Sequence, residues 1–396
     1  MEEIILPYGR KTLRFKRPAN LLDIVTPRQG TTIDIAAALE KILEKPIGLP
    51  SLEQLIKPRD RVAIVIPDKT RRNPAREILP ILLDRLEKLR AGEISLIIAN
   101  AAHNHHPLEE LDLGENILKR VKFFNHDARR NEDMVKIGVM PMLFPWGMKK
   151  EVWVNKAVAR ADLVIVIGSI IPHLMAGFSG GAKGIIPGVA GLKTIGLNHF
   201  FMLHPHSRLG AIEGNILRED LEKGARFLKN VFIINAVYDS RKEVVGLVGG
   251  DMVAAHREGV KLCREIGEVK IKKADIVISA DTYPETINIY QTIKLIAPAA
   301  KAVNPGGVII CTGECPEGEG ELTLFNRLFY NILIKEILPP AVSIYFLSEA
   351  NQAKNFPFFL KPIKSMEEGI ELGFKKRGPQ ASILILSGAG VLIPGR

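Results

Sequence analysis

Asp162-Leu-Val-Ile-Val-Ile-Gly168 leads into Pro172-His-Leu-Met-Ala-Gly-Phe-Ser-Gly-Gly-Ala-Lys183-Gly-Ile-Ile-Pro-Gly188, and Asn198-His199 follows a few residues later. The first segment is an unbroken aliphatic run between a charge and a glycine, the pattern of a strand buried on both faces of a parallel sheet. Open α/β sheets bind ligands beyond the carboxyl ends of their strands. His173, the glycines and Lys183 therefore fall where a site is expected. Gly177, Gly180, Gly181 and Gly184 can turn backbone N–H groups toward an anion. Ala182 and Gly184 flank Lys183 where a Walker loop needs Gly and then Ser or Thr, so nucleotide hydrolysis does not fit. The plain alternative is a glycine-rich turn carrying a surface lysine.

Outward from this core, Val62–Ile66, Ile94–Ile98, Val121–Phe124 and Leu163–Ile167 read as strands alternating with helices such as Ala75–Leu89, the signature of a doubly wound sheet. Residues 3–7 and 12–16 read as an antiparallel start around Gly9, followed by a helix from about Asp34 to Leu43. A connector at 267–273 introduces a second series: strands at 275–279, 307–310, 342–346 and 382–386, with helices at 286–303 and 325–337. The expected fold is α/β, with two α/β domains of mostly parallel sheets, residues 1–268 and 269–396, facing an interdomain active-site crevice.

With 396 residues, 46% apolar and 25% charged, the chain has enough apolar content for two folded domains and is not disordered. No apolar run approaches a membrane span, and the opening Met1-Glu-Glu-Ile-Ile-Leu-Pro7 lacks the regions of a signal peptide, so a cytoplasmic location is expected. The net charge of +10 is scattered, without a basic arm or interleaved aromatics. That distribution speaks against nucleic acid and suits a small anionic substrate. Cys263, Cys311 and Cys315 lack companion ligands and read as structural thiols.

Eight of nine histidines lie between His103 and His206. His103 and His173 each follow a predicted strand, and two opposed imidazoles suit proton exchange at both faces of one carbon. His105, His106, His204 and His206 are further imidazoles without zincin spacing. Asp68, Thr70 and Arg71 follow the strand 62–66, where the first two can cap a helix and the third can clamp an anion. An ordinary capped turn explains them equally. In the second series Asn288, Gln291 and Lys294 follow a strand end, and Gln291 and Lys294 share a helical face suited to a carboxylate.

Taken together, Pro67-Asp68-Lys-Thr-Arg71, Ala101-Ala-His103, Asn125-His126-Asp127-Ala128, Pro172-His173, Ala176-Gly-Phe-Ser-Gly-Gly-Ala-Lys183, Asn198-His199, Tyr290-Gln291-Thr-Ile-Lys294 and Pro305-Gly306-Gly307 resemble the LarA-like nickel-dependent lactate racemase family and its wider set of 2-hydroxyacid racemases and epimerases. The resemblance runs through most of the chain. It implies a nickel-pincer nucleotide, a pyridinium-3,5-bisthiocarboxylate mononucleotide carrying nickel, attached covalently at Lys183 and supplied by cofactor-biosynthesis enzymes. By the same resemblance His199 would be the metal ligand and His103 and His173 the catalytic acid/base pair. Asp68, Thr70, Gly177, Ser179, Gly180 and Gly181 would bind the cofactor. Arg71, Tyr290, Gln291 and Lys294 would bind the 2-hydroxy acid anion. The implied reaction is reversible hydride transfer from C2 to the cofactor through a 2-keto acid. Lys69, Asn104 and Ala182 depart from the lactate enzyme's pattern, and the only tryptophans, Trp146 and Trp153, lie outside the second series. A 2-hydroxy acid other than lactate is therefore open. Two other readings stand beside this one: a metal-dependent hydrolase built on His103, His105 and His106, and a non-catalytic anion- or cofactor-binding protein.

Overall fold

Aliphatic strands buried on both faces need apolar cover from helices on each side, and that requirement organises the fold. In the computed structural model, which describes residues 2–103, 105, 108–111, 113–142, 147–350 and 356–395, the chain forms two compact units. Asn104, His106 and Trp146 lie outside the described residues. One unit comprises Gly30–Ile171 and Met175–Cys263, and the other Met1–Gln29, Pro172–Leu174 and Arg264–Arg396.

The first unit contains a six-stranded sheet in the order Val244–Asp251, Val231–Tyr238, Leu163–Ser169, Val62–Pro67, Ile94–Ala99, Lys122–Asn125. Neighbours run parallel except for the first pair, which is antiparallel. From Val62–Pro67 the chain winds outward through Ile94–Ala99 to Lys122–Asn125, then returns to the opposite side for Leu163–Ser169. The winding reverses between the two central strands, and such a switch point leaves a crevice at the strand carboxyl ends. Leu79, Leu82, Leu83 and Leu86 recur at helical spacing on Ala75–Lys88 and pack with Leu39 and Leu43 of Ile35–Glu44 against Ile64, Leu96 and Ile165. Asp34 caps the latter helix, its carboxylate accepting from Ala37 N at 3.1 Å. The strands Val231–Tyr238 and Val244–Asp251 and the antiparallel pair Met134–Pro141 and Lys149–Asn155 are additions to the sequence reading.

The second unit carries an all-parallel sheet in the order Leu360–Ile363, Ser343–Leu347, Val303–Thr312, Ala274–Ala280, Ile383–Ser387, Leu21–Val25. Its edge strand comes from the chain's beginning. The antiparallel strands Glu3–Tyr8 and Lys11–Lys16 contribute Ile4, Leu6 and Phe15 to a core with Ile276, Ile278, Val308, Ile310 and Ile385. Residues 1–29 thus group with the C-terminal unit, which departs from the expected 1–268 domain because Ile4, Leu6 and Phe15 are buried there. The expected helix over 286–303 is broken into Ile289–Thr292, a tighter turn Ile293–Leu295, and Ile296–Ala302. Pro298 lacks an N–H to bond to the Lys294 carbonyl, so it is accommodated in the first turn of a new helix. Leu6→Ala is expected to lower the unfolding free energy by roughly 2–4 kcal/mol in a denaturant titration, since it empties a fully packed position.

Candidate active site

Three adjacent parallel strands, Leu163–Ser169, Val62–Pro67 and Ile94–Ala99, end on one side of the switch point, and their following turns carry the chemistry. After the central strand, buried Asp68 accepts from Thr70 N at 3.0 Å and Thr70 Oγ1 at 2.5 Å through Oδ1. Its Oδ2 lies 2.7 Å from His103 Nδ1. Burial opposes ionisation of Asp68, yet the His103 imidazole, Arg71 and Thr70 outweigh it and hold the carboxyl well below the usual carboxylate range. An ionised carboxylate only accepts, so Nδ1 of His103 carries the proton and Nε2 is the basic nitrogen of the neutral ring. Arg71 folds back on this turn, donating from Nη1 to Thr70 Oγ1 at 2.8 Å. The side chain that accepts at the start of Ala75–Lys88 is Asn73, bonded to Ala75 N at 3.0 Å, rather than Asp68 or Thr70.

His103 is delivered by a fastened turn. Fully buried Asn100 donates to Asn125 Oδ1 at 2.5 Å and to the His126 carbonyl at 2.8 Å, and Ala101 adopts φ of 53° with its N–H on the Gly188 carbonyl at 2.9 Å. A left-handed alanine is uncommon and persists here because both flanks are held. His126 itself is packed, its ring bonded to the Ala190 carbonyl at 3.1 Å, and burial pushes it down to about 4.

The glycine-rich run after Leu163–Ser169 is a closely packed loop. A Cβ on Gly177, whose φ is +70°, would sit 1.8 Å from the Ala211 carbonyl oxygen, so only glycine fits. Ser179 is spent on structure: its hydroxyl donates to the Ser169 carbonyl at 2.7 Å and accepts from Ile171 N at 2.9 Å. Gly181 N donates to Asn235 Oδ1 at 2.7 Å. Lys183 stands on the short turn Gly181–Gly184. Burial, then the cations Arg218 and Arg71, push its ammonium down to about 7 from 10.5. An amine near that value is substantially unprotonated at neutral pH and is a nucleophile.

His199 ends the helix Leu192–His199, and its Nδ1 lies 3.0 Å from the Ile195 carbonyl. The carbonyl can only accept, which leaves Nε2 as the lone-pair nitrogen, the form in which imidazole ligates a metal. The preceding Asn198 is fully buried, donating to Asp220 Oδ2 at 2.7 Å and the Leu217 carbonyl at 3.1 Å, and Asp220 is paired with buried Lys150. Neither the buried Lys150–Asp220 pair nor fully buried Arg218 was picked out from the sequence, where they are three ordinary charged residues.

Whereas His103 belongs to the other unit, His173 groups with the C-terminal unit. In that unit Gln291 is buried and its Oε1 accepts from Lys294 Nζ at 2.5 Å, while its Nε2 has no hydrogen-bond partner among the described residues. Lys294 Nζ lies 5.5 Å from the Tyr290 ring centroid. A buried amide donor beside an ammonium suits a carboxylate. Exposed His105 is bonded to the His126 carbonyl at 3.1 Å, and His204 and His206 meet edge to face. Among the described residues no three His, Cys, Asp or Glu side chains gather as a metal-ligating group, and the three cysteines are buried and unpaired with one another. No helix among the described residues is long and apolar enough to cross a membrane.

Two family models match the chain: the lactate racemase N-terminal domain over residues 8–210 and the lactate racemase C-terminal domain over residues 269–344. It is 35% identical over 330 residues to the lactate racemase of Thermoanaerobacterium thermosaccharolyticum, covering 81% of this chain and 76% of the relative. Identity to the Lactiplantibacillus plantarum lactate racemase is 34% over 353 residues, covering 87% and 82%. The solved structure of the lactate racemase apoprotein from T. thermosaccharolyticum superposes with a TM-score of 0.87 at 28% identity, covering 100% of both chains. A Thermotoga maritima protein shares the fold at a TM-score of 0.66 and 17% identity, covering 87% of this chain and 96% of that one.

Acylation of Lys183 is expected to rise with pH through a midpoint near 7, because the unprotonated amine reacts. Trace acetylation read by peptide mass spectrometry measures it, and a midpoint near 10.5 would contradict the electrostatic account.

Proposed function

The chain belongs to the lactate racemase family of isomerases, and from that premise we propose that it interconverts the two configurations of a 2-hydroxy acid using a nickel-pincer nucleotide attached to Lys183. The observation that carries this reading is the Lys183 amine, held near neutrality on a loop of glycines at the sheet's switch point. The residues present fit the cofactor: an amine able to be acylated, and His199 in the tautomer that ligates a metal through Nε2. Imidazole nitrogen is a suitable donor for nickel. When bound, the group supplies a hydride acceptor for C2 of the substrate.

The protein's own residues then manage protons and charge. His103 Nε2 takes the proton of the substrate's 2-hydroxyl, and Asp68 keeps the ring in the required tautomer and stabilises the imidazolium that forms. His173 is the matching acid/base for the opposite configuration, because C2 loses its handedness once it becomes a planar carbonyl carbon. Arg71 offers a guanidinium to the substrate, and Gln291 Nε2 with Lys294 Nζ offers the donors a carboxylate needs. Thr70, Ser179, Gly180 and Gly181 act toward the cofactor by shaping the turns on which Asp68 and Lys183 stand, and Tyr290 supports Lys294.

Intact-protein mass spectrometry with nickel analysis, on protein co-expressed with cofactor-making enzymes, tests the anchor. A nickel-bearing increment of several hundred daltons, on the order of one mononucleotide, is expected in the wild type and absent in Lys183→Ala. An unmodified wild-type mass despite confirmed cofactor supply would sink the reading. On loaded protein, Asp68→Asn is expected to lower kcat for racemisation of a chiral 2-hydroxy acid panel, lactate included, by about 10²–10⁴-fold while the adduct is retained.

A further inference from the structure

Arg218, on the helix Ile216–Ala225, is 0% exposed. Its guanidinium donates from Nε to the Ala176 carbonyl at 3.2 Å, from Nη1 to the Gly180 carbonyl at 3.3 Å, and from Nη2 to the Phe178 carbonyl. The intervening Ser179 carbonyl is taken by His256 Nε2 at 2.8 Å. His256 Nδ1 accepts from Arg257 Nη1 at 2.9 Å, which fixes Nε2 as the donor of a neutral ring. Four backbone carbonyls between residues 176 and 180 are thereby held by side chains of two helices, and Lys183 follows three residues later.

Neutral donors would serve those carbonyls at lower desolvation cost than a buried guanidinium. The counter-charge is also incomplete. Glu222 lies 3.7 Å from Arg218 but is engaged bidentately by Arg257 at 2.8 Å through both oxygens. What a cation adds over a neutral donor is a positive field on its surroundings. Charged and titratable groups of this region among the described residues include Arg71 on the turn after Val62–Pro67, Arg218, Glu222 and the Lys150-paired Asp220 on Ile216–Ala225, and His256 and Arg257 on Ala254–Gly267.

We propose that Arg218 is the positioning residue of the anchoring lysine: its clamp on the 176–180 carbonyls sets the path that presents Lys183, and its charge keeps the amine ready to be acylated. The inference rests on the reading of Lys183 as the cofactor anchor. After burial, Arg218 is the larger of the two cationic influences that lower the Lys183 amine, ahead of Arg71.

The test uses the full-length protein without cofactor, and follows trace acetylation of Lys183 by acetic anhydride from pH 5 to 11 against exposed Lys261 as internal reference. In Arg218→Met the Lys183 midpoint is expected to rise by on the order of one pH unit, so that relative labelling at pH 7 falls about five-fold. Arg218→Lys, which keeps the charge, should return the midpoint toward the wild type. Glu222→Gln removes the negative neighbour and should move the midpoint down. A folded Arg218→Met, judged by far-UV circular dichroism and a cooperative melt, that keeps the wild-type midpoint overturns the proposal. If that variant does not fold, Arg218→Gln, which keeps a hydrogen-bond donor without the charge, decides, and a folded Arg218→Gln with the wild-type midpoint overturns it. Failure of the anchor reading is separately visible: the nickel-bearing increment would then not depend on Lys183, whatever the acetylation profiles show.

Discussion

The structure depends on the parallel pairing of Val62–Pro67 with Leu163–Ser169, two strands separated by a hundred residues of chain and held in the register Val62 to Leu163 through Val65 to Val166. Both strands are aliphatic and buried, so a slip in register would misplace every side chain that follows. Because the winding reverses between them, the Asp68 turn and the glycine-rich loop emerge side by side, with the His103 turn one strand further along. The chemistry of the unit is thus a consequence of strand order. Without that pairing, the same residues would be distributed over unrelated loops.

Two opposite electrostatic settings lie at the carboxyl ends of this one sheet's inner strands. His103 Nδ1 faces a buried carboxylate held ionised by hydrogen bonds and neighbouring positive charge. Lys183 has the reverse, burial combined with the cations Arg218 and Arg71. Arg71 takes part in both, lowering the Asp68 carboxyl and the Lys183 amine alike, since a cation favours an anion and disfavours another cation. Structural ties around these groups are dense. Asn100, Ser179, Asn198 and Asn235 spend their hydrogen bonds on backbone and neighbours, which gives the functional turns fixed shapes.

Much of the fold was legible because buried parallel strands have a sequence signature that edge strands lack. The runs at 62–66, 94–98, 163–167 and 307–310 are aliphatic, interrupted only by Ser95 and Gly307, and appear as strands at those places. Leu21–Val25 carries exposed Asp23 in its middle, a mark of an edge strand, and gave no sign of joining a sheet whose other members begin 250 residues later. The helical pattern over 286–303 concealed a break, because periodicity of apolar residues persists across the turn at Ile293–Leu295 while Pro298 forces a new start. The candidate site residues are named in the sequence by the strand ends they follow and the family motif they compose. Asp68 was visible as a polar residue after a strand, but its bond to His103, 35 positions away, was not.

By itself the amino-acid sequence determined most of the buried parallel strands, though not Val231–Tyr238, as well as which residue types cluster after them and the motif that ties the chain to its family. These are properties of local periodicity and residue identity, and they survive without coordinates. Only the tertiary structure decided the order of the strands, the assignment of residues 1–29 to the C-terminal unit, and the surroundings that lower the Asp68 carboxyl, the Lys183 amine and the His256 ring. Arg218 is one of 54 lysines and arginines in the chain, and nothing in its neighbours along the sequence sets it apart. Its importance arises because hydrogen bonds, desolvation and Coulomb interactions depend on distance in space, and the fold brings a residue 35 positions from Lys183 into the interior beside it.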